Sequence, residues 1–210
     1  MTKFLVVFDV DSTLINEEAI ELLAERAGTR DQVAEVTERA MRGELDFAQS
    51  LIERVATLQG LSESVLAEVA QELTPTLGAR ELIEAIHELG GKAAAVSGGF
   101  IQLLGPVKKA LNFDFERANT LEVSEGRLTG RVLGKIIDRA AKAEALIEWS
   151  KQLGVPIEKT MAVGDGANDL GMMEVAALSV AFCAKPIVQE KAKIALNERD
   201  LSKLIPLLPL

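Results

Sequence analysis

The chain has 210 residues, 48% hydrophobic and 26% charged, enough for one large domain or for a domain carrying an inserted module. Its 32 acidic residues outweigh 23 basic ones to give a net charge of −9, which argues against a nucleic-acid partner, since that would ask for a basic face. One cysteine, Cys183, excludes an internal disulfide framework, and one histidine, His87, expected on a helix surface between Glu84 and Glu88, excludes a serine–histidine triad.

Phe4 to Phe8 is a continuous apolar run of strand formers and is predicted to be a central parallel strand buried on both faces. It is too short for a signal-peptide core, and no apolar stretch approaches a membrane span, so a cytoplasmic protein without a membrane partner is expected. Asp9 and Asp11 stand where that strand should end. Residues 15 to 73 then carry four helical patterns with no strand between them: about Glu17 to Ala27, about Asp31 to Arg42, one opening at Asp46, and one opening at Ser62 and ending near Pro75. Gln49 lies three residues after Asp46, the spacing of a capping box.

From Thr74 onward strands and helices alternate. A helix from about Ala79 to Leu89 precedes a strand over Lys92 to Val96, which runs into Ser97-Gly98-Gly99. A helical segment, about Phe100 to Leu111, contains Pro106. Leu121 to Val123 and Leu128 to Val132 flank a turn at Ser124-Glu125-Gly126-Arg127 and read as a hairpin. A helix holding Lys142 ends at Gly154, and a strand over Thr160 to Val163 runs into Gly164-Asp165-Gly166. Another helix, a strand over Ser179 to Phe182 and a helical tail close the chain. Such alternation implies a doubly wound parallel α/β sheet, with ligands at the carboxyl ends of the strands.

Three strand ends carry unusual chemistry. Asp9, Asp11, Asp165 and Asp169 are expected to converge, and their mutual repulsion calls for a divalent cation. Oxygen ligands without cysteine or histidine point to Mg2+. An aspartate can attack phosphorus, and a second carboxyl two residues away can protonate the leaving oxygen and then activate water. Ser97 with the amides of Gly98 and Gly99 suits a phosphate, and Lys142 can supply a fixed positive charge. Each signal alone is weak: an Asp-x-Asp pair or a Gly-Asp-Gly turn is common in loops. The case rests on four of them falling in order.

Asp9-Val10-Asp11-Ser12-Thr13, Ser97-Gly98-Gly99, Lys142 and Gly164-Asp165-Gly166-Ala167-Asn168-Asp169 resemble the four motifs of the haloacid dehalogenase superfamily, across nearly the whole chain. The resemblance implies a Rossmann-like core over residues 1–14 and 75–210, a helical cap over 15–74 and a small hairpin flap near Gly126. It implies Asp9 as nucleophile and metal ligand, Asp11 as general acid and base with its backbone carbonyl on the metal, and Asp165 completing the metal site. Ser97, Gly98, Lys142 and Asn168 would hold the phosphoryl group, with Asp169 supporting Lys142 and the metal shell.

In the cap the resemblance assigns Glu18 to a substrate ammonium, Arg54 to a substrate carboxylate, and Met41 and Phe47 to the apolar side. The implied reaction is hydrolysis of O-phospho-L-serine to L-serine and phosphate, the last step of L-serine biosynthesis, by a monomer or homodimer. A related enzyme acting on another amino-alcohol phosphate, or passing the phosphoryl group to an acceptor, is the alternative. Independently of the resemblance, Phe47, Leu51, Arg54, Val55 and Leu58 share one helical face. A cation on that apolar stripe needs an anionic partner or a route to solvent.

Overall fold

In the computed structural model, which describes residues 1–209, the chain alternates strands and helices around a single sheet. The elements are β1 (Leu5–Phe8), α1 (Ala19–Ala27), α2 (Arg30–Met41), α3 (Phe47–Ala56), α4 (Ser64–Glu72), α5 (Ala79–Glu88), β2 (Lys92–Phe100), α6 (Ile101–Leu111), β3 (Phe115–Ser124), β4 (Arg127–Leu133), α7 (Arg139–Leu153), β5 (Thr160–Gly164), α8 (Leu170–Val175), β6 (Leu178–Phe182), α9 (Pro186–Gln189) and β7 (Ile194–Leu196).

The sheet order is β4-β3-β2-β1-β5-β6-β7, with every pair parallel except β3–β4. β1 is fully buried. Because strand side chains alternate, Val6 and Phe8 enter one packed layer, with Leu82, Ile86 and Leu104, while Leu5 and Val7 enter the other, with Leu146 and Trp149. Helices on both faces give the doubly wound α/β architecture. β2, β1 and β5 are neighbours at the centre of the sheet. The three chemically unusual strand ends therefore lie side by side, as ligand sites in such sheets require.

The structure departs from sequence expectation in three places. The expected helical tail contains β7, three residues pairing parallel with β6, too short for its alternation to be read. The hairpin is present where expected, but its first strand is longer: β3 begins at Phe115 and pairs with β2, so the hairpin extends the main sheet. The charged Glu116 and Arg117 break the apolar pattern there, so the sequence shows only the Leu121–Val123 part of the strand. His87 is half-buried rather than a free surface residue, with Nε2 2.9 Å from Asp114 Oδ2. The capping box is present: Gln49 N donates to Asp46 Oδ1 at 2.8 Å, and Asp46 N donates to Gln49 Oε1 at 3.0 Å.

Helices α1 to α4 are joined to the sheet at two places. At their base, Asn16 N donates to Thr74 O at 3.0 Å and Thr76 N donates to Leu14 O at 2.9 Å. The turn after α3 pairs with the hairpin: Gly60 N donates to Leu128 O at 2.8 Å, Leu128 N to Leu61 O at 2.9 Å, and Arg127 Nη1 to Gly60 O at 2.7 Å. Gly130 makes this approach possible. Its φ is +80°, and a Cβ there would lie 3.2 Å from Ala56 O. Gly130→Val should cost about 1–3 kcal/mol of stability. Equilibrium urea unfolding measures this, and an unchanged midpoint would mean that α3 is not seated on the hairpin.

Candidate active site

Three of the four aspartates expected to converge do so. One carboxylate oxygen each of Asp9, Asp165 and Asp169 lies within 4.8 Å of the others. Asp9 ends β1, and Asp165 and Asp169 occupy the turn after β5. Asp169 is fully buried and accepts from Gly166 N at 3.0 Å and Asp165 N at 3.2 Å, which closes that turn on itself.

Lys142, projecting from α7, is also fully buried. Its ammonium donates to Asp169 Oδ1 at 2.6 Å and to Asp9 Oδ1. Burial alone would lower its pKa, but Asp169 and then Asp9 outweigh burial and raise it above the ordinary lysine value. Burial, and then the Asp169 charge, push Asp9 well above the usual carboxylate range, with Lys142 opposing. Burial and Asp169 likewise push Asp165 up to about 6. One ammonium does not balance three carboxylates, and after burial their mutual repulsion, chiefly from Asp169, adds to the upward shift of Asp9 and Asp165. A second cation would relieve it. The donor set is entirely carboxylate oxygen, which fits a hard divalent ion.

The Asp11 carboxylate is held elsewhere. It accepts from Ala19 N at 2.8 Å and from Ser97 Oγ at 2.9 Å. Ala19 N is one of the otherwise unpaired donors at the start of α1, so Asp11 satisfies a helix end and meets its positive pole. Between them, Ser12 adopts φ +57° and donates through Oγ to Glu18 Oε1 at 2.8 Å.

Beyond Ser97, glycine is demanded by close approach. A Cβ on Gly98 would lie 2.7 Å from Phe47 Cζ and 3.5 Å from Asn168 Nδ2, and one on Gly99 would lie 2.7 Å from Asp11 Oδ2. Phe47 and Asn168 thus both stand against Gly98, at the seam between α3 and the sheet. A cleft of about 570 Å³ lies between the start of α3, at Phe47 and Ala48, and helices α7 and α8, at Arg139, Ala143 and Glu174.

Two further predicted residues face the site from the helices. Arg54 is half-buried. Its one side-chain hydrogen bond among the described residues runs from Nε to Ser50 O at 3.3 Å. Burial lowers its pKa, and Glu18 and then Asp11 oppose that effect most strongly, which sets Arg54 within electrostatic reach of both. Glu18 is open to solvent on one side yet crowded by protein on the others. This loss of hydration, followed by the Asp11 charge, pushes its carboxyl up to about 7. Met41 is exposed at the end of α2 and stands outside the packed interior of these helices.

Two residues at the site gave no signal in the sequence. Arg199 donates to Asn16 Oδ1 at 3.0 Å and to Ser12 O at 3.3 Å, bracing the loop after β1 from the C-terminal segment. Asn119 is buried on β3 and donates to Gly98 O. Both look like ordinary surface polar residues in the sequence.

Carboxylates at the end of β1, a buried lysine and a glycine-lined bend at the end of β2 define an α/β protein equipped for aspartate-based chemistry. A family profile of haloacid dehalogenase-like hydrolases matches residues 6–174, and the chain belongs to that family. A phosphoserine phosphatase from Streptococcus thermophilus is 48% identical over 98% of this chain and 96% of its own length. One from Streptomyces coelicolor is 54% identical over 97% of this chain, which spans only 50% of that relative. Among solved structures, a phospho-aspartyl intermediate analogue of phosphoserine phosphatase superposes with a TM-score of 0.93 at 42% identity, covering 99% of this chain and all of that one.

A carboxyl with a raised folded-state pKa favours folding at acid pH, and that advantage is lost as pH rises through the raised value. For Asp165 the loss falls between the ordinary carboxylate range and about 6, and Asp9 has the same sign. Chelator-treated protein should therefore gain more thermal stability from added magnesium chloride at pH 8 than at pH 5. Melting curves at the two pH values test this, and an equal gain at both would remove the acidic cluster as the cation site.

Proposed function

We propose that this protein hydrolyses O-phospho-L-serine to L-serine and phosphate through an aspartyl-phosphate, in the cytoplasm, as the final step of L-serine synthesis. The observation that carries the reading is that Glu18 and a half-buried Arg54, which makes no salt bridge among the described residues, both stand within electrostatic reach of Asp11. An anion-accepting and a cation-accepting group over a phosphoryl site suit a zwitterionic amino acid better than a sugar. The names of the relatives, 54% and 48% identical over 97% and 98% of this chain, support the same substrate.

Magnesium is the expected metal, held by Asp9, Asp165 and the carbonyl of Asp11, with Asp169 as outer support. When bound, it would neutralise phosphoryl charge and align the group with Asp9. Ser97, Gly98, Lys142 and Asn168 receive the phosphoryl oxygens. Asp9 attacks phosphorus and the bond to the serine oxygen breaks. Asp11 gives that oxygen its proton, then takes one from a water that attacks the aspartyl-phosphate, releasing phosphate and regenerating Asp9. Lys142, locked between Asp9 and Asp169, keeps its charge without reorganising as the reaction proceeds. Residues 15–74 act as a cap, with Phe47 and Met41 on its apolar side.

Purified protein with magnesium should cleave phosphoserine at least about tenfold more efficiently than sugar phosphates. Chelation should stop the reaction. Comparable rates across a substrate panel would overturn the substrate assignment. Asp9→Asn should lower kcat by about 10⁴-fold or more. Retained turnover in a phosphate-release assay would remove Asp9 as nucleophile.

Arg54→Ala should cut kcat/KM for phosphoserine about 100-fold, the order expected when a charged hydrogen-bonding partner is lost. Cleavage of p-nitrophenyl phosphate, which has no carboxylate or amine, should change much less. Equal losses on both substrates would make Arg54 structural.

A further inference from the structure

The β2–β3 ladder is broken where β2 reaches the site. Val96 pairs with Arg117, and the next pair is Phe100 with Asn119, so β2 uses four residues where β3 uses two. Ser97-Gly98-Gly99 thus lie opposite Ala118 alone, an excess of two residues that takes their backbone out of the ladder beside Asp11. Groups released from a ladder in a buried place need other partners. Gly99 N finds one in Ser97 Oγ, at 2.7 Å. Gly98 O finds one in Asn119 Nδ2, at 2.8 Å. The Asn119 amide is only 2% exposed, and its other end, Oδ1, accepts from Ile137 N at 2.9 Å. Ile137 immediately precedes Asp138, whose carboxylate caps α7 by accepting from Ala141 N at 2.9 Å.

We infer that Asn119 is a positioning residue for phosphoryl recognition. Its side chain replaces the missing ladder bond at Gly98 and, through Ile137, fixes that loop relative to the start of α7, the helix that carries Lys142. The peptide joining Gly98 to Gly99 is then held at both ends, its oxygen by Asn119 and its N–H by Ser97. The loop cannot turn that peptide over without losing two bonds. Asn119 touches neither the substrate nor Asp9, so its influence passes through the backbone of Gly98 and the placement of α7. The inference rests on the phosphoryl-binding role proposed for Ser97, Gly98 and Lys142.

Two variants separate the contacts. Asn119→Asp keeps an acceptor for Ile137 N but has no donor for Gly98 O, and Asn119→Leu has neither. Both should raise the inhibition constant of inorganic phosphate and lower kcat by about 10- to 100-fold, the scale of a small misplacement at a reacting centre. Inhibition by L-serine, which meets Glu18 and Arg54 instead, should change little. The assay uses p-nitrophenyl phosphate as well as phosphoserine. A wild-type protein that cleaves the aryl ester but not phosphoserine would refute the substrate and leave the test of Asn119 intact. Unchanged phosphate inhibition in whichever variant folds, or equal weakening of phosphate and L-serine, would overturn the inference.

Discussion

The buried ammonium of Lys142 is the interaction on which the rest of the site depends. A lysine with no exposure is costly in any fold unless its charge is met by hydrogen-bonded partners. Here it is met twice, by Asp9 at the end of β1 and Asp169 after β5, and the lysine itself comes from α7. Three elements distant in sequence are thereby fixed to one another at the centre of the sheet. Asp165 adds a third carboxylate that Lys142 does not pair, and burial followed by the Asp169 charge raises its pKa. A core that only needed a paired lysine would not carry the surplus. The proposed site for a cation and a phosphoryl group would use it, because a cation's affinity comes from carboxylates that the protein has not itself neutralised.

Asp11 belongs to a different balance. Its two oxygens are shared between the first N–H of α1 and the hydroxyl of Ser97. The residue proposed as acid and base is therefore oriented by the helical segment on one side and by Ser97 on the other. Movement of α1 relative to the sheet would disturb the proton donor together with Glu18, which adjoins Ala19 and is tied to Ser12. The hairpin bonds at Gly60 and Leu128 restrain the far side of the same helices. On the remaining side a cleft separates Phe47 from α7.

Much of this could be read from the sequence because the chemistry sits where strands end. β1 was legible as an unbroken apolar run, and its terminal aspartates stood out against it. The capping box at Asp46 and Gln49 placed the start of α3 before any contact was known. What stayed hidden depends on pairing at long range. β7 is three residues long, and β3 begins with Phe115, Glu116 and Arg117, so neither shows a clean alternation. The direction of the Asp11 carboxylate is also a tertiary property, because its partners are 8 and 86 residues away. Asn119 was illegible for the same reason. Its burial follows from β3 lying inside the sheet and from a bulge on the neighbouring strand.

The division of labour between sheet and helices follows from rigidity. Groups that meet a phosphoryl centre must hold position to within a fraction of an ångström, and the residues proposed for that task come from strand ends and from Lys142, locked between Asp9 and Asp169. Groups that would choose the substrate need reach and access more than stiffness. Glu18 is open to solvent, and Arg54 spends one bond on its own helix and keeps the rest of its guanidinium available. Their electrostatic link to Asp11 means that selection is not independent of chemistry. An ammonium arriving at Glu18 would cancel charge next to the proposed proton donor, while a carboxylate arriving at Arg54 would satisfy a cation that the folded protein leaves without an acidic partner. A substrate bearing both groups meets both demands at once, and a neutral sugar phosphate meets neither.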